Sequence, residues 1–228
     1  MVSHTSAQAI KLFGLISPRK DLTLEAFHDH YRHPHGTLAL TMKTLSSYVQ
    51  SHRIRIDLPG SEQERFAAIA EIGLATEDDL GSFRSEPNLV RYLVPDEPNF
   101  IDFSNSAFLP TRVQIWETRA RVSDAERFWT PDNRPISYKL IQLVRSGVPS
   151  SIDAAEIGSE IGALRVSWCA ALQGSQSQKR EFGAAREFWW PTLTSLRSGL
   201  ARAPQAARQL LLDPAVGFSM FVQAERFI

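Results

Sequence analysis

Four of the six histidines, His28, His30, His33 and His35, fall within eight residues, and none follows His52. Imidazole titrates near neutrality and ligates metals, so acid/base or metal chemistry is expected in the first quarter of the chain. The spacing argues against a metal. On a helix His28 and His30 diverge by about 200°, and the run lacks the i, i+4 histidine pair of metalloprotease helices. No metal ligand and no cofactor are assigned, and proton transfer is the chemistry expected.

Helical phase ranks the four. From Thr23 to Leu45 the residues Leu24, Phe27, Tyr31, Leu38, Met42 and Leu45 form one apolar stripe. His35 lies in that stripe or at its margin, His28 at its border, His30 about 90° away, and His33 on the solvent side. Pro34 removes a backbone donor and disfavours helical geometry at His33, so a kink and an unpaired carbonyl near His30 are expected. His35 is therefore the candidate general acid or base, kept neutral at pH 7 by burial beside Tyr31, Leu38 and Met42. A core histidine bonded to a backbone carbonyl fits the same sequence.

Other candidates follow. Ser47 to Ile56 alternates as a strand with Tyr48, Gln50 and His52 on one face, suited to a cavity wall that orients a carbonyl or phenol. A mixed edge strand with solvated polar ends is the other reading. Tyr48 and His52 are assigned to substrate positioning, and His28, Tyr31 and Gln50 to the binding wall. Glu71 lies in the apolar strand Phe66 to Ala75, opposite its aliphatic face. There it either supports a histidine at the cavity or makes a structural hydrogen bond. Asp96 to Asp102, with Pro95 and Pro98, is read as a structural, lid-like loop. Trp116, Trp168, Trp189 and Trp190 are read as core or module-interface residues.

The elements that must position these residues occur twice in one order. Ile10–Ile16, the helical pattern, Ser47–Ile56, Phe66–Ala75, a helix opened at Thr76 by a capping-type start, and Arg112–Glu117 read as βαββαβ. After a polar link, Trp129 to Pro135, the order repeats. Tyr138–Leu143 matches the first strand with Lys139 over Lys11. A helix is expected over Ile152–Val166 and a strand over Trp168–Gln173. Phe182–Trp190 matches Phe66–Leu74 with Glu187 over Glu71, and Phe218–Phe227 closes the set. The pattern predicts an α+β fold of two tandem ferredoxin-like modules, 1–128 and 129–228, packed sheet to sheet as a single-chain barrel with a cavity between the sheets.

Composition narrows the partners. Of 228 residues 43% are hydrophobic, and 25 Lys and Arg balance 25 Asp and Glu. Zero net charge gives no electrostatic reason to expect nucleic acid or an anionic membrane. One cysteine excludes an intrachain disulfide and, with no leader-like or 18-residue apolar stretch, suggests a cytoplasmic protein. No phosphate-binding glycine loop, Gly-x-Ser-x-Gly, dinucleotide fingerprint or paired-cysteine zinc spacing occurs, which removes support for kinase, serine hydrolase and nicotinamide readings.

Phe27, Tyr31 and His35, then Tyr48-Val49-Gln50-Ser51-His52, Ala70-Glu71 and Asp96-Glu97-Pro98-Asn99-Phe100-Ile101-Asp102, resemble the EthD domain family of the dimeric α+β barrel superfamily over about residues 8 to 120. The second half lacks every histidine of the pattern and is read as a degenerate built-in partner. The resemblance implies a small hydrophobic or aromatic ligand, and relatives of this fold include cofactor-free monooxygenases, isomerases, cyclases and haem-dependent peroxidases. The leading expectation is a cofactor-independent enzyme using histidine acid/base chemistry on a hydrophobic carbonyl or aromatic compound, of lyase, isomerase or cyclase type. A non-catalytic binding or accessory protein is the alternative, and a haem or metal barrel a weaker one. Association into a homodimer stays open.

Overall fold

The computed structural model describes residues 4–5, 9–60, 64–117, 134–146, 154–172 and 181–228. The first half runs β1 (His4–Thr5), β2 (Ile10–Ile16), α1 (Leu24–His30), a wide turn at Tyr31–His35, α2 (Gly36–Ala39), β3 (Ser47–Arg53), β4 (Ala68–Leu74), α3 (Glu77–Phe83), a second wide turn at Leu89–Leu93, α4 (Val94–Asp96) and β5 (Ala107–Glu117). The second half runs β6 (Ile136–Arg145), α5 (Ala154–Glu160), β7 (Arg165–Ala171), β8 (Phe182–Trp190), α6 (Leu193–Arg202), α7 (Pro204–Leu210) and β9 (Gly217–Arg226). Thr23, Thr76 and Thr192 cap α1, α3 and α6 through their side chains, the last two as reciprocal capping boxes.

Strands β2 to β9 close an antiparallel barrel in the order β5-β2-β4-β3-β9-β6-β8-β7, with β7 returning to β5. Within each half the order is fourth, first, third, second strand, the ferredoxin-like arrangement. The second strand of each half pairs with the fourth of the other, β3 with β9 and β7 with β5. Each module thus covers the other's open edges as well as its open face, which leaves no free edge around the barrel. The link 129–133 and the predicted boundary at 128 and 129 lie outside the described residues.

The barrel interior is filled rather than hollow. Phe13, Leu15, Ile69, Leu109, Ile141, Leu143, Ala185, Met220 and Val222 pack there as one apolar cluster. At one end the filling becomes ionic. Lys11 Nζ lies 2.8 Å from Glu71 and 2.7 Å from Glu187, and Lys139 Nζ lies 2.6 Å from Glu71 and 2.9 Å from Glu187. Ser51 donates to Glu71 at 2.5 Å and Ser167 to Glu187 at 2.7 Å. Burial works against the charge on Lys11, but Glu187 and Glu71 outweigh it and hold the ammonium well above its ordinary range. Each lysine bridges a glutamate of its own module to one of the other, so the paired positions Lys11/Lys139 and Glu71/Glu187 form a neutral, reciprocal lattice across the seam. Glu71 therefore does not support a histidine: it faces the barrel interior and is consumed by the two lysines and Ser51. The cavity expected between the sheets is reduced to about 170 Å³ beside this lattice.

Two helix boundaries also differ from expectation. The first helical stretch ends at Ala39 rather than Leu45, broken at His33, whose φ of −152° and ψ of 120° are extended. The second-module helix stops at Glu160, and β7 starts at Arg165, inside the span predicted as helical. Apolar spacing in Ile161-Gly162-Ala163-Leu164-Arg165-Val166 suits either element, and Gly162, at φ +71°, supplies the turn between them.

Candidate functional site

The outer face of the first sheet carries Leu12, Gly14, Ile16, Tyr48, Ala70 and Ile72, and the helices lie across it. Between them is a cavity of about 530 Å³ that includes Tyr31, His35, Met42, Leu80, Phe83, Leu89, Leu93, Glu97 and Phe108 in its wall. Its lining is mainly aliphatic and aromatic, with a few polar groups converging at the histidine end, the character of a small-molecule pocket. A larger open groove of about 920 Å³ lies against α6 and α7, but it is lined by Arg53, Arg55, Arg197 and Arg208 and contains no histidine. We place the site at the smaller cavity because the acid/base groups are there.

His35 reaches this wall because Pro34 interrupts the helix. Pro34 offers no N–H, and the chain re-forms its ladder one residue wider, with the Gly36 N–H bonding the Tyr31 carbonyl. Gln50 Nε2 donates to the same carbonyl at 2.6 Å and to the Tyr48 hydroxyl at 3.1 Å, bracing the turn from the sheet. Gly36 is held so closely that a Cβ there would lie 2.6 Å from the Phe227 ring and 2.9 Å from Gln50. Phe227 follows β9, so the second module helps to seat the histidine turn. Arg32 adds a two-oxygen grip on Glu225 of β9 at 2.8–3.0 Å.

His35 is 6% exposed, and its Nδ1 lies 3.0 Å from Asp96 Oδ2. The other oxygen of Asp96 takes His30 Nε2 at 2.8 Å. An ionised Asp96 makes Nδ1 of His35 the protonated nitrogen and leaves Nε2 with the basic lone pair. Burial lowers the pKa of His35 more than Asp96 raises it, so the ring is neutral at pH 7. Partial burial opposes charge on Asp96, but bonds from His30, His35 and Asn99 outweigh it and hold the carboxyl below its ordinary range. Neighbouring Glu97 is pushed up to about 7 by burial and by the charge of Asp96. Burial raises the Tyr48 phenol to about 12 and holds that of Tyr31 well above its ordinary value, so both stay protonated. The wall thus offers a neutral imidazole held by a carboxylate, a carboxyl poised near neutrality, and two phenols.

Of the residues singled out from the sequence, His35, Tyr31 and Tyr48 meet at this cavity. Gln50 stands behind it as a brace. His28 and His52 face one another, Nδ1 to Nδ1 at 2.8 Å, and neither lines the cavity, so His52 does not position a ligand from the wall. His30, about 90° off the apolar stripe, is drawn to Asp96, whereas His33 is exposed and bonds Thr37. Asp96 and Glu97 are the residues the sequence did not mark as chemical. They belong to a helical turn, not a loop, and Phe100, which is fully buried against Phe27, Tyr31, His30 and His35, pins that turn in place. An acidic pair between two prolines was the visible signal, but its partner histidines are about sixty residues away. Among the described residues no group of three His, Cys, Asp or Glu could hold a metal ion.

The histidine pair makes the fold sensitive to acid. One Nδ1 must donate and the other accept, so the contact cannot survive with both rings charged. Burial, then the charges of Arg32 and His28, lowers His52 to about 2, and burial with the charges of Arg32 and Arg53 lowers His28 to about 4. A group whose folded pKa is depressed adds stability above its unfolded pKa and loses it as pH falls. Urea unfolding followed from pH 7 to pH 4 is expected to weaken below about pH 6.5, by about 1.4 kcal/mol per pH unit for His52. His52→Gln should flatten that slope, and an unchanged slope would show that His52 is not held neutral.

Fold and site together define a single-chain, two-module α+β barrel with one histidine site beneath the helices of its first module. Residues 19–104, within the first module, match the EthD domain, and the chain as a whole has the ferredoxin-like α+β barrel fold. Two solved structures share the architecture over nearly the whole chain. An anthrone oxidase-like protein is 11% identical, with a TM-score of 0.60 and coverage of 100% of this chain and 97% of its own. A proposed monooxygenase from Fusobacterium nucleatum subsp. nucleatum is 7% identical, with a TM-score of 0.53 and coverage of 96% and 92%. At these identities they establish the fold. No curated protein matches the chain. Among the described residues no helix is long and apolar enough to cross a membrane.

Proposed function

We propose that this protein is a small-molecule enzyme in which His35 abstracts a proton from an enolisable aryl ketone or phenol bound in the 530 Å³ cavity. The observation that carries this reading is the His35–Asp96 hydrogen bond at the wall of an otherwise apolar pocket. Asp96 fixes the ring so that Nε2 is the base and stabilises the imidazolium that forms. Glu97 in its protonated form, with the Tyr48 and Tyr31 phenols as neighbours, would hydrogen-bond the oxygen on which negative charge develops. That proton transfer uses only these side chains. The resulting enolate or phenolate can be reprotonated at another carbon, as in an isomerisation, or can form a carbon–oxygen bond with dioxygen, which is thereby reduced to a peroxide as the substrate carbon is oxidised. The names of the two fold neighbours favour the oxidative outcome over the lyase or isomerase type.

Deuterium exchange tests the first step separately from any later one. Aryl ketones incubated with the protein in D2O should exchange the hydrogen beside the carbonyl at a rate with a bell-shaped pH dependence. The acid limb reports His35 and lies below pH 6.5. The basic limb reports Glu97 and lies near pH 7. Glu97→Gln should remove the basic limb and keep the acid one. Binding of the ketones without exchange would instead support a carrier.

A further inference from the structure

Arg186 on β8 is 2% exposed, yet among the described residues its Nε and Nη2 have no hydrogen-bond partner. Burial is what lowers its pKa, to about 10, so the guanidinium is charged at neutral pH, and among the described residues no acidic group offsets it. The Phe188 ring, 6.0 Å from Cζ, is a weak substitute for a counter-charge. An uncompensated buried charge is among the costliest features a fold can carry. The orphaned atoms also have a direction. The Nε–H and Nη2–H bonds leave one edge of the guanidinium in parallel, the edge that takes two oxygens of a carboxylate or oxyanion at once.

Gln142 stands directly across the β6–β8 ladder from Arg186, and Trp168 flanks it on β7. Gln142 is fully buried; its Nε2 donates to Ser219 Oγ at 3.2 Å and to the Leu210 carbonyl, while its Oε1 has no partner among the described residues. One ladder thus places an unused double donor opposite an unused acceptor. Val144, Ala184 and Leu212 pack nearby with Trp168 and Val216, so the surroundings are apolar. The register-equivalent pair in the first module is Gly14 and Ala70, both in the wall of the histidine cavity. Where the first module leaves room for an apolar ligand, the second places a cation and an amide.

We propose that the second module holds a buried site for a small oxyanion that also carries a hydroxyl, such as a hydroxycarboxylate or hydrogenphosphate, gripped by the Nε/Nη2 edge of Arg186 with Gln142 Oε1 accepting the hydroxyl. This site is separate from the His35 cavity and does not depend on the activity assigned there.

Thermal unfolding of the full-length protein at constant ionic strength tests it, with phosphate, sulfate, glycolate or acetate replacing chloride. Ligands that bind the folded state raise Tm saturably. Phosphate or glycolate should do so, and whichever acts at lower concentration identifies the inorganic or the organic source. Sulfate and acetate, lacking the hydroxyl at neutral pH, should act more weakly. Arg186→Lys keeps the charge but loses the double donor, and should move the midpoint at least tenfold higher. Arg186→Met should abolish the shift and, in chloride, be at least as stable as the unsubstituted protein, because it removes an unpaired charge. No saturable shift with any of the four anions would overturn the proposal. So would an unchanged midpoint in Arg186→Lys, which stands even if Arg186→Met fails to fold.

Discussion

His35→Gln is expected to lower kcat/KM for exchange by about 10²- to 10⁴-fold, the contribution typical of a positioned general base. Glutamine has similar reach and can keep a hydrogen bond to Asp96, but it has no lone pair basic enough to take a proton at pH 7. The loss should fall on kcat rather than on ligand affinity, because the cavity wall is otherwise unchanged. Asp96→Asn should cause a loss of the same order. The asparagine amide can donate to Nδ1, which favours the tautomer with its proton on Nε2 and removes the base from the cavity. Single-turnover exchange and equilibrium binding, measured on both variants, separate these effects. Turnover retained in His35→Gln would overturn the role assigned to His35.

Glu71→Gln is expected to have the largest effect on stability, a loss of about 3–5 kcal/mol, because it breaks a buried charge network by removing one partner. Glu71 accepts from Lys11, Lys139 and Ser51, and its side chain is 2% exposed. Without its charge, two lysines share Glu187 alone, and Lys139, at 6% exposure, cannot turn to solvent. The excess charge lies on the seam between modules, so the barrel as a unit should weaken, lowering the urea midpoint without splitting the transition. A compensating Glu71→Leu/Lys139→Met pair, which again balances the charge, should recover much of the loss. A loss below about 1 kcal/mol in Glu71→Gln would show that solvent already screens the lattice. Exchange activity per folded molecule should be unaffected, since Glu71 and His35 lie on opposite faces of the first sheet.

Local periodicity and repetition carried the fold. Alternation over Ser47 to Ile56 put Tyr48, Gln50 and His52 on one face, and the structure keeps them there, because a strand's two-residue period does not depend on its neighbours. Helical phase placed His35 inward through the same kind of local geometry, and Pro34 marked the break. The matches of Lys139 to Lys11 and of Glu187 to Glu71 exposed the duplication. What they could not show was that these four residues are one another's partners, since that requires the two modules to be joined. The sequence by itself therefore determined the two ferredoxin-like halves, the inward-facing histidine and the confinement of the clustered histidines to the first half. Only the tertiary structure decided that the barrel interior is packed, that the cavity lies beneath the helices, that Glu71 is structural, and that Asp96 holds His35. The physical reason is separation along the chain. Local spacing sets which way a side chain points, but the partner it meets comes from strand closure and turn packing across 61 residues for His35 and Asp96 and 176 for Lys11 and Glu187.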